Sequence, residues 1–144
     1  MPDQIALPDT IGYVIAQVCK AHRQRADELL NEIGLHVGQE MLLCALWDNE
    51  GLTQTELAQH LGVQPATVTN ALKRLERKGL VERTPDEADQ RVSRVFPTAE
   101  GKEVLADIER QWAELEQATL TGLSDEERGQ LVGLLKKVQA NLAG

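Results

Sequence analysis

The segment from Gln54 to Lys73 constrains the fold of this chain more than any other, because its apolar and small residues have the spacing of two short helices joined by a tight turn. The residues that set the spacing are Leu57, Ala58, Leu61, Gly62, Val63, Val68 and Ala71. Ala58 is small where the helices approach most closely, and Gly62 can adopt the positive φ of the turn. Val63 and Val68 are expected to fill the angle between the helices. The pattern predicts a helix-turn-helix; two ordinary packed helices with a glycine in their loop are the alternative.

The hydrophobic period changes directly after the second of these helices, which Pro65 opens and Gly79 ends. Alternating residues and turn formers replace the helical pattern: Leu80, Val81 and Arg83, a turn with Pro85, Asp86 and Asp89, and then Val92 to Phe96. Short runs on either side of such a turn are typical of a β-hairpin. A basic helix end that leads directly into a hairpin with a charged tip predicts a winged helix.

Amphipathic helices are predicted on both sides of this unit, because apolar residues recur three and four positions apart. Their expected spans are Thr10 to about Ile33, about Val37 to Asp48, Thr98 towards Leu120, and Ser124 to Leu142. Thr53 with Glu56 and Ser124 with Glu127 have the spacing of capping boxes at helix starts. The predicted fold class is mostly α with a small β-hairpin wing, in a single domain of residues 1–144.

The charge of the chain is distributed unevenly. Its net charge of −8 would alone argue against a polyanionic partner. Residues 63–96, however, carry seven Lys and Arg against five Asp and Glu, so the acidity lies almost wholly outside this segment. A locally basic segment on an acidic scaffold is compatible with nucleic-acid binding.

Several classes of protein are excluded by what the sequence lacks. It has no apolar run near the roughly 20 residues that span a bilayer and no leader-like amino terminus, so a soluble, cytoplasmic protein is expected. Cys19 and Cys44 have neither disulfide-framework nor metal-ligand spacing, and reduced thiols are expected. No cofactor and no metal site are predicted.

The run from Leu57 to Gly101, LAQHLGVQPATVTNALKRLERKGLVERTPDEADQRVSRVFPTAEG, resembles the DNA-binding core of MarR/SlyA-type transcriptional regulators. The resemblance depends most on Leu75, Gly79, Leu80, Val81, Arg83 and the pair Asp89 and Arg91 at the tip of the hairpin. The flanking helices match as well. Pro97 departs from the family, which usually carries another residue there, and is expected to shorten the second strand of the wing.

The resemblance implies a homodimeric winged helix-turn-helix protein that binds double-stranded DNA and is not an enzyme. The DNA-binding core is placed at about residues 35–97, and dimerisation helices at about 10–33 and 98–142. The apolar stripes of these outer helices exceed what one small domain covers, which agrees with two intertwined chains. Packing of the stripes within one chain is the alternative.

The DNA-binding residues follow from the expected orientation of the second helix, whose inward-facing residues are Val68, Ala71, Leu72 and Leu75. The candidates for base reading are Gln64, Ala66, Thr67 and Asn70, and those for phosphate contact are Thr53, Gln54, Thr55, Lys73, Arg74 and Arg77. Arg91 and Arg94 of the wing are predicted to enter the minor groove, with Asp89 orienting Arg91. A solvated helical face and a surface ion pair are the alternatives for these charges.

Regulation by a small molecule or by oxidation is implied by the resemblance alone. A small aromatic acid or phenol would bind between the dimerisation helices and the wing domain, where Lys20, His22 and Arg23 are the candidate contacts and Cys19 a candidate sensor thiol. Exposed cations, a core-facing histidine and a small buried hydrophobe are the simpler interpretations of these residues.

Two other classes of function remain as alternatives. A thiol enzyme could pair Cys19 with His22, three residues apart on one helix, but the sequence supplies neither a third orienting group nor an oxyanion site. A winged-helix module that binds proteins would have lost its outward cations and wing arginine, which this sequence retains. The operator, the effector and the choice between repressor and activator are not determined.

Overall fold

The computed structural model describes residues 6–143 of the chain. This part contains six α-helices and three short β-strands. The helices are α1 (Ile11–Asn31), α2 (Gln39–Asp48), α3 (Gln54–Leu61), α4 (Pro65–Arg77), α5 (Ala99–Leu120) and α6 (Asp125–Ala143). The strands are β1 (Leu52–Thr53), β2 (Val81–Pro85) and β3 (Ser93–Pro97), and a 3-10 turn, Leu7–Asp9, precedes α1. The predicted fold class is confirmed. Helix α2 begins two residues later than expected, since Gly38 has a φ of +98°.

Hydroxyl side chains cap four helices at the positions that local sequence indicates. The residue pairs are Thr10 with Tyr13, Thr53 with Glu56, Thr98 with Gly101, and Ser124 with Glu127. In each pair the hydroxyl accepts a hydrogen bond from the backbone N–H three residues on, which satisfies a donor that has no partner inside the helix. The carboxylate of Glu127 in turn accepts a hydrogen bond from the backbone N–H of Ser124. Within residues 6–143, the carboxylate of Glu56 accepts no such bond from the N–H of Thr53. Of the two predicted capping boxes, only that of Ser124 and Glu127 is therefore complete.

Helices α3 and α4 form the helix-turn-helix, with Leu57, Leu72 and Leu75 fully buried between them and α2. Ala58 is 4% exposed, and Gly62 ends α3 with a φ of +66°, as the sequence predicts. The prediction for Val63 is wrong: its side chain is 41% exposed. Its N–H caps the carbonyl of Ala58, and the side chain lines an open cleft instead of the angle between the helices.

The sheet contains one strand more than the sequence predicts. Its order is β1-β3-β2, with both pairs antiparallel and β3 in the centre. The two residues of β1 pair with Arg94 and Val95. Pro97 does not shorten β3, because it pairs with Val81 at the end of the strand. Since β1 stops short of Pro97, one side of that residue has no strand neighbour and its missing N–H is tolerated.

The junction between the wing and α5 is closely packed around Gly101. The carbonyl of Leu80, just before β2, accepts a hydrogen bond from the N–H of Thr98 at 3.0 Å. A Cβ on Gly101, which is buried in the first turn of α5, would lie 2.1 Å from that same carbonyl oxygen. Only glycine therefore permits α5 to start this close to the strand.

Helix α1 packs on α5 through a small cluster of Ala26, Leu29 and Leu115. The buried amide of Gln111 joins the same two helices, donating to the carbonyl of Leu29 at 2.6 Å and to the carboxylate of Glu32 at 2.9 Å. No helix in residues 6–143 has the length and apolarity needed to cross a membrane.

Much of the apolar surface of α1 and α6 is left uncovered in the single chain. The exposed residues are Ile11, Val14 and Val18 on α1, and Val132, Leu134, Leu135 and Leu142 on α6, the last of these 82% exposed. Isolated apolar side chains are common on protein surfaces, but two helices with repeated ones are characteristic of a surface that another chain covers.

Candidate nucleic-acid interface

The outer face of α4 presents every side chain that the sequence assigns to it. The exposed residues are Gln64, Ala66, Thr67, Asn70, Lys73, Arg74 and Arg77. On the opposite face, Val68, Leu72 and Leu75 are at most 1% exposed. Because the helical repeat separates the two sets cleanly, α4 is anchored by one face and free to enter a groove with the other. The assignment of individual residues to bases or phosphates stays a prediction.

At the start of α3, more side chains are engaged in hydrogen bonds within the chain than the sequence suggests. The hydroxyl of Thr53 already caps the helix. The amide of Gln54 donates to Thr69 Oγ1 at 3.2 Å and accepts from Arg83 at 3.3 Å, so it joins α3, α4 and β2. Of the three predicted phosphate contacts, only Thr55 is exposed. It lies beside free N–H groups at a helix start, which favour an anion.

Arg83 is a structural part of the interface that the sequence analysis did not assign. Its guanidinium forms an ion pair with Glu76 of α4 and also donates to Gln54. This arrangement fixes the wing to α4 and α3. No local spacing signals the pair, because the two charges lie in different elements and meet only when β2 folds back on α4.

The tip of the wing has the geometry predicted from the pair Asp89 and Arg91. Arg91 Nε and Nη2 donate to the two carboxylate oxygens of Asp89 at 3.1 and 3.3 Å, a planar bidentate pair. The backbone N–H of Arg91 also donates to Asp89 at 3.1 Å. The hydrogen bond from the Arg91 side chain holds the pKa of Asp89 below its usual value. The side chain of Arg91 is 91% exposed and projects into solvent while paired with Asp89; the orienting role of Asp89 stays a prediction.

Arg94 occupies the base of the wing. Its Nε donates to Asp86 at 2.6 Å, and its Nη1 donates to the carbonyl of Gly51 at 2.8 Å, just before β1. The bond from Arg94 lowers the pKa of Asp86, whose second oxygen accepts the N–H of Asp89 at 3.0 Å. Arg94 therefore braces the turn that carries Arg91. Its predicted contact with the minor groove is untested, and this bonding favours a supporting role.

The four candidate effector residues do not share one site. Lys20 and Arg23 line a cleft of about 490 Å³ with Asp27, His36 and Arg74. His22 faces the other way, with its ring centroid 6.1 Å from that of Trp112 on α5. The small aromatic or phenolic effector stays a prediction, for which Lys20 and Arg23 are the better placed contacts.

The two cysteines differ in their surroundings. Cys19 is exposed in the single chain, so its interpretation as a small buried hydrophobe is wrong for the isolated chain. Cys44 is half-buried, and burial raises the pKa of its thiol above the usual value. Cys44 is therefore a poor thiolate, whereas the role of Cys19 in redox sensing stays untested.

Comparison with known proteins places this geometry in a family. The MarR family model matches residues 35–93. A protein of Thauera aromatica, described as a transcriptional regulatory protein for the hcr operon, is 34% identical over 118 residues, which cover 82% of this chain and 71% of that protein. The chain belongs to the MarR family. Its resemblance to MarR/SlyA-type regulators is thereby confirmed.

Two further comparisons connect this MarR-family chain to DNA. The transcriptional repressor IacR of Pseudomonas putida is 28% identical over 140 residues, covering 97% of this chain and 84% of IacR. S. aureus MepR, solved as a complex with DNA, superposes with a TM-score of 0.82 at 30% identity, over 92% of this chain and 98% of MepR. The MarR-family chain is a DNA-binding transcriptional regulator.

The comparisons bear on the enzyme alternative as well, since these relatives are named as regulators. Within residues 6–143, no group of three or more His, Cys, Asp and Glu side chains is arranged to hold a metal ion. His22 lies against Trp112, and the structure gives Cys19 no orienting partner among the hydrogen bonds of the described residues. The thiol-enzyme hypothesis gains no support from this geometry.

Proposed function

We propose that the chain is a homodimeric repressor that reads a pseudo-palindromic duplex, with α4 in the major groove and Arg91 in the adjacent minor groove. The observation that supports this most directly is the free polar face of α4 beside an exposed arginine held in one orientation by Asp89. Asn70 can form two hydrogen bonds with adenine, and Thr67 can contact a thymine methyl. Repression, as opposed to activation, is supported by the name of the relative IacR.

The alternative of a protein-binding module is disfavoured by the same residues. Lys73 and Arg74 form no ion pair with the described part of the chain, and Arg77 bonds only to a carbonyl of its own helix. Three such cations on one helix suit a phosphate backbone, whose negative charges bind Lys and Arg.

We expect the chain to sediment as a dimer at micromolar concentration and to select half-sites about 10 bp apart, because two recognition helices related by a two-fold axis must enter successive major grooves on one face of the duplex. The uncovered apolar residues of α1 and α6 supply the surface for this dimer. Sedimentation and selection of duplexes from a randomised pool measure the two properties. A monomer, or selected sites without two-fold symmetry, would contradict the proposal.

Separate substitutions of Asn70 and Lys73 by alanine are expected to distinguish a residue that recognises bases from one that contacts phosphates. Asn70→Ala should relax base preference at one position in each half-site, at a cost of about 1–3 kcal/mol on the selected duplex. Lys73→Ala should weaken binding to all duplexes alike and reduce the salt slope by about one. Titrations on selected and random duplexes at several salt concentrations make the comparison. Equal losses on both duplexes for both variants would show that the roles are assigned wrongly.

A further inference from the structure

We propose that Lys78 is a positioning residue that fixes the angle of the recognition helix to the dimer frame, and thereby sets the spacing between half-sites that the protein accepts. The inference rests on the proposed dimeric function. Lys78 is the C-cap of α4, directly after the last helical residue, and its side chain leaves the helix to reach a segment about 40 residues earlier in the chain.

The partners of Lys78 lie in and beside the α1–α2 loop, residues 32–38. The ammonium group donates to the carbonyl of Gly34 and to Gln39 Oε1, the latter at 3.2 Å. Gln39 is 3% exposed, and the same oxygen accepts the N–H of His36 at 3.1 Å, so the acceptor is held rigidly. Burial and the nearby Arg74 lower the pKa of Lys78. Lys78 is exposed, and these two hydrogen bonds hold its ammonium group against the loop.

On its exposed side, α4 is separated from this loop by open space. A cleft of about 500 Å³ runs between Val37 and Met41 on one side and Thr67, Asn70 and Arg74 on the other. A smaller one of about 320 Å³ lies between His36 and the last turn of α4. The core face of α4, in contrast, is closely packed, since Leu72 and Leu75 share one buried cluster with Leu35 of the loop. On the open side of the helix, the bonds of Lys78 tie α4 to the loop. The bonds of Lys78 act at the end of the helix, where a small displacement has the largest effect on the angle.

The loop is in turn continuous with α1, whose exposed Ile11, Val14 and Val18 we assign to the dimer surface. The carboxylate of Asp27 on α1 accepts the N–H of Val37 at 3.2 Å, which holds the loop against α1. These hydrogen bonds and the backbone of residues 34–39 therefore connect the end of α4 to α1. In a two-fold dimer, the angle of α4 to α1 determines the distance between the two recognition helices.

The test uses the full-length protein and duplexes that the wild type selects from a randomised pool, remade with spacers one and two base pairs longer or shorter. We expect Lys78→Met to bind the selected duplex about tenfold more weakly and to discriminate between spacers by less than about threefold, where the wild type discriminates by about tenfold or more. Its salt slope and thermal midpoint should stay unchanged. Lys78→Arg, which keeps both the charge and the donors, should restore the spacer preference.

Lys73→Met is the matched control, since it removes the same charge from α4 at a position without a bond to the loop. Lys73→Met should weaken binding to duplexes of every spacer length. It should also reduce the slope of log affinity against log salt concentration by about one. A Lys78→Met protein that keeps the wild-type spacer profile would overturn the inference, as would a Lys78→Met salt slope reduced like that of the control, which would make Lys78 a phosphate contact. A wild type that prefers no spacer would overturn the dimeric function and the inference together.

Discussion

Arg91→Ala is expected to weaken binding to the selected duplex by more than about fivefold, with the thermal midpoint and the dimer unchanged. The side chain is 91% exposed, and within the described chain its hydrogen bonds go only to Asp89, so its removal costs the fold little. A guanidinium at this position can enter the minor groove, where A·T tracts deepen the negative potential. Fluorescence anisotropy on duplexes with and without such tracts beside each half-site measures the effect.

Asp89→Ala should weaken binding in the same direction but by less. The variant removes a negative charge, so electrostatics alone predicts tighter binding, whereas the loss of the bidentate pair leaves Arg91 free to rotate and increases the entropy cost of its insertion. Asp89→Asn is the matched control, since it keeps an acceptor for the backbone N–H of Arg91 and removes the charge. Tighter binding by Asp89→Ala would discard the orienting role.

Gly101→Ala is expected to destabilise the protein by about 3 kcal/mol or more and to lower the thermal midpoint by roughly 10 °C. The new Cβ would lie 2.1 Å from the carbonyl oxygen of Leu80, and the obstacle is backbone that cannot rotate away. Either the first turn of α5 or the start of β2 must move, and both carry hydrogen bonds to Thr98. Thermal unfolding at a fixed subunit concentration measures the shift, because the midpoint of a dimer depends on concentration.

Gly12→Ala provides the comparison for this variant. It adds the same methyl group in the first turn of α1, where no atom within residues 6–143 lies within 4 Å, and alanine is the better helix former. Its midpoint should equal that of the wild type or exceed it slightly. If the midpoint of Gly101→Ala also stayed at the wild-type value, α5 would not begin against Leu80 as described.

The parts of the fold that the sequence predicted correctly depend on short-range rules. The hydroxyl caps at Thr53 and Ser124, the turn at Gly62 and the buried stripe of α4 each follow from residues within one or two helical turns. The pair of Asp89 and Arg91 belongs to the same class, since the two residues lie in one turn. Local chemistry was sufficient for these features.

The errors concern contacts between distant segments. Strand β1 has two residues and exists only because β3 pairs with it, so no periodicity could reveal it. The hydrogen bonds of Arg94 to Gly51 and Asp86 depend on the register of β3 and were not foreseen, while its predicted contact with the minor groove stays a prediction. Cys19 was expected to be buried because its helix is amphipathic, but the apolar face of α1 is uncovered in the single chain. Strand register determines the first two features, and the uncovered face of α1 in the single chain determines the third.

The central position of β3 limits how this DNA-reading unit can be exchanged between proteins. A chimeric regulator that received only α4 and the hairpin, residues 65–97, would lose the strand on the outer side of β3 and the Gly51 carbonyl that Arg94 binds. It would also lose Gln54, through which Arg83 joins the hairpin to α3. A transplant that keeps these contacts of the wing must therefore begin no later than Gly51, and the recipient must also supply the α2 surface that buries Leu57, Leu72 and Leu75.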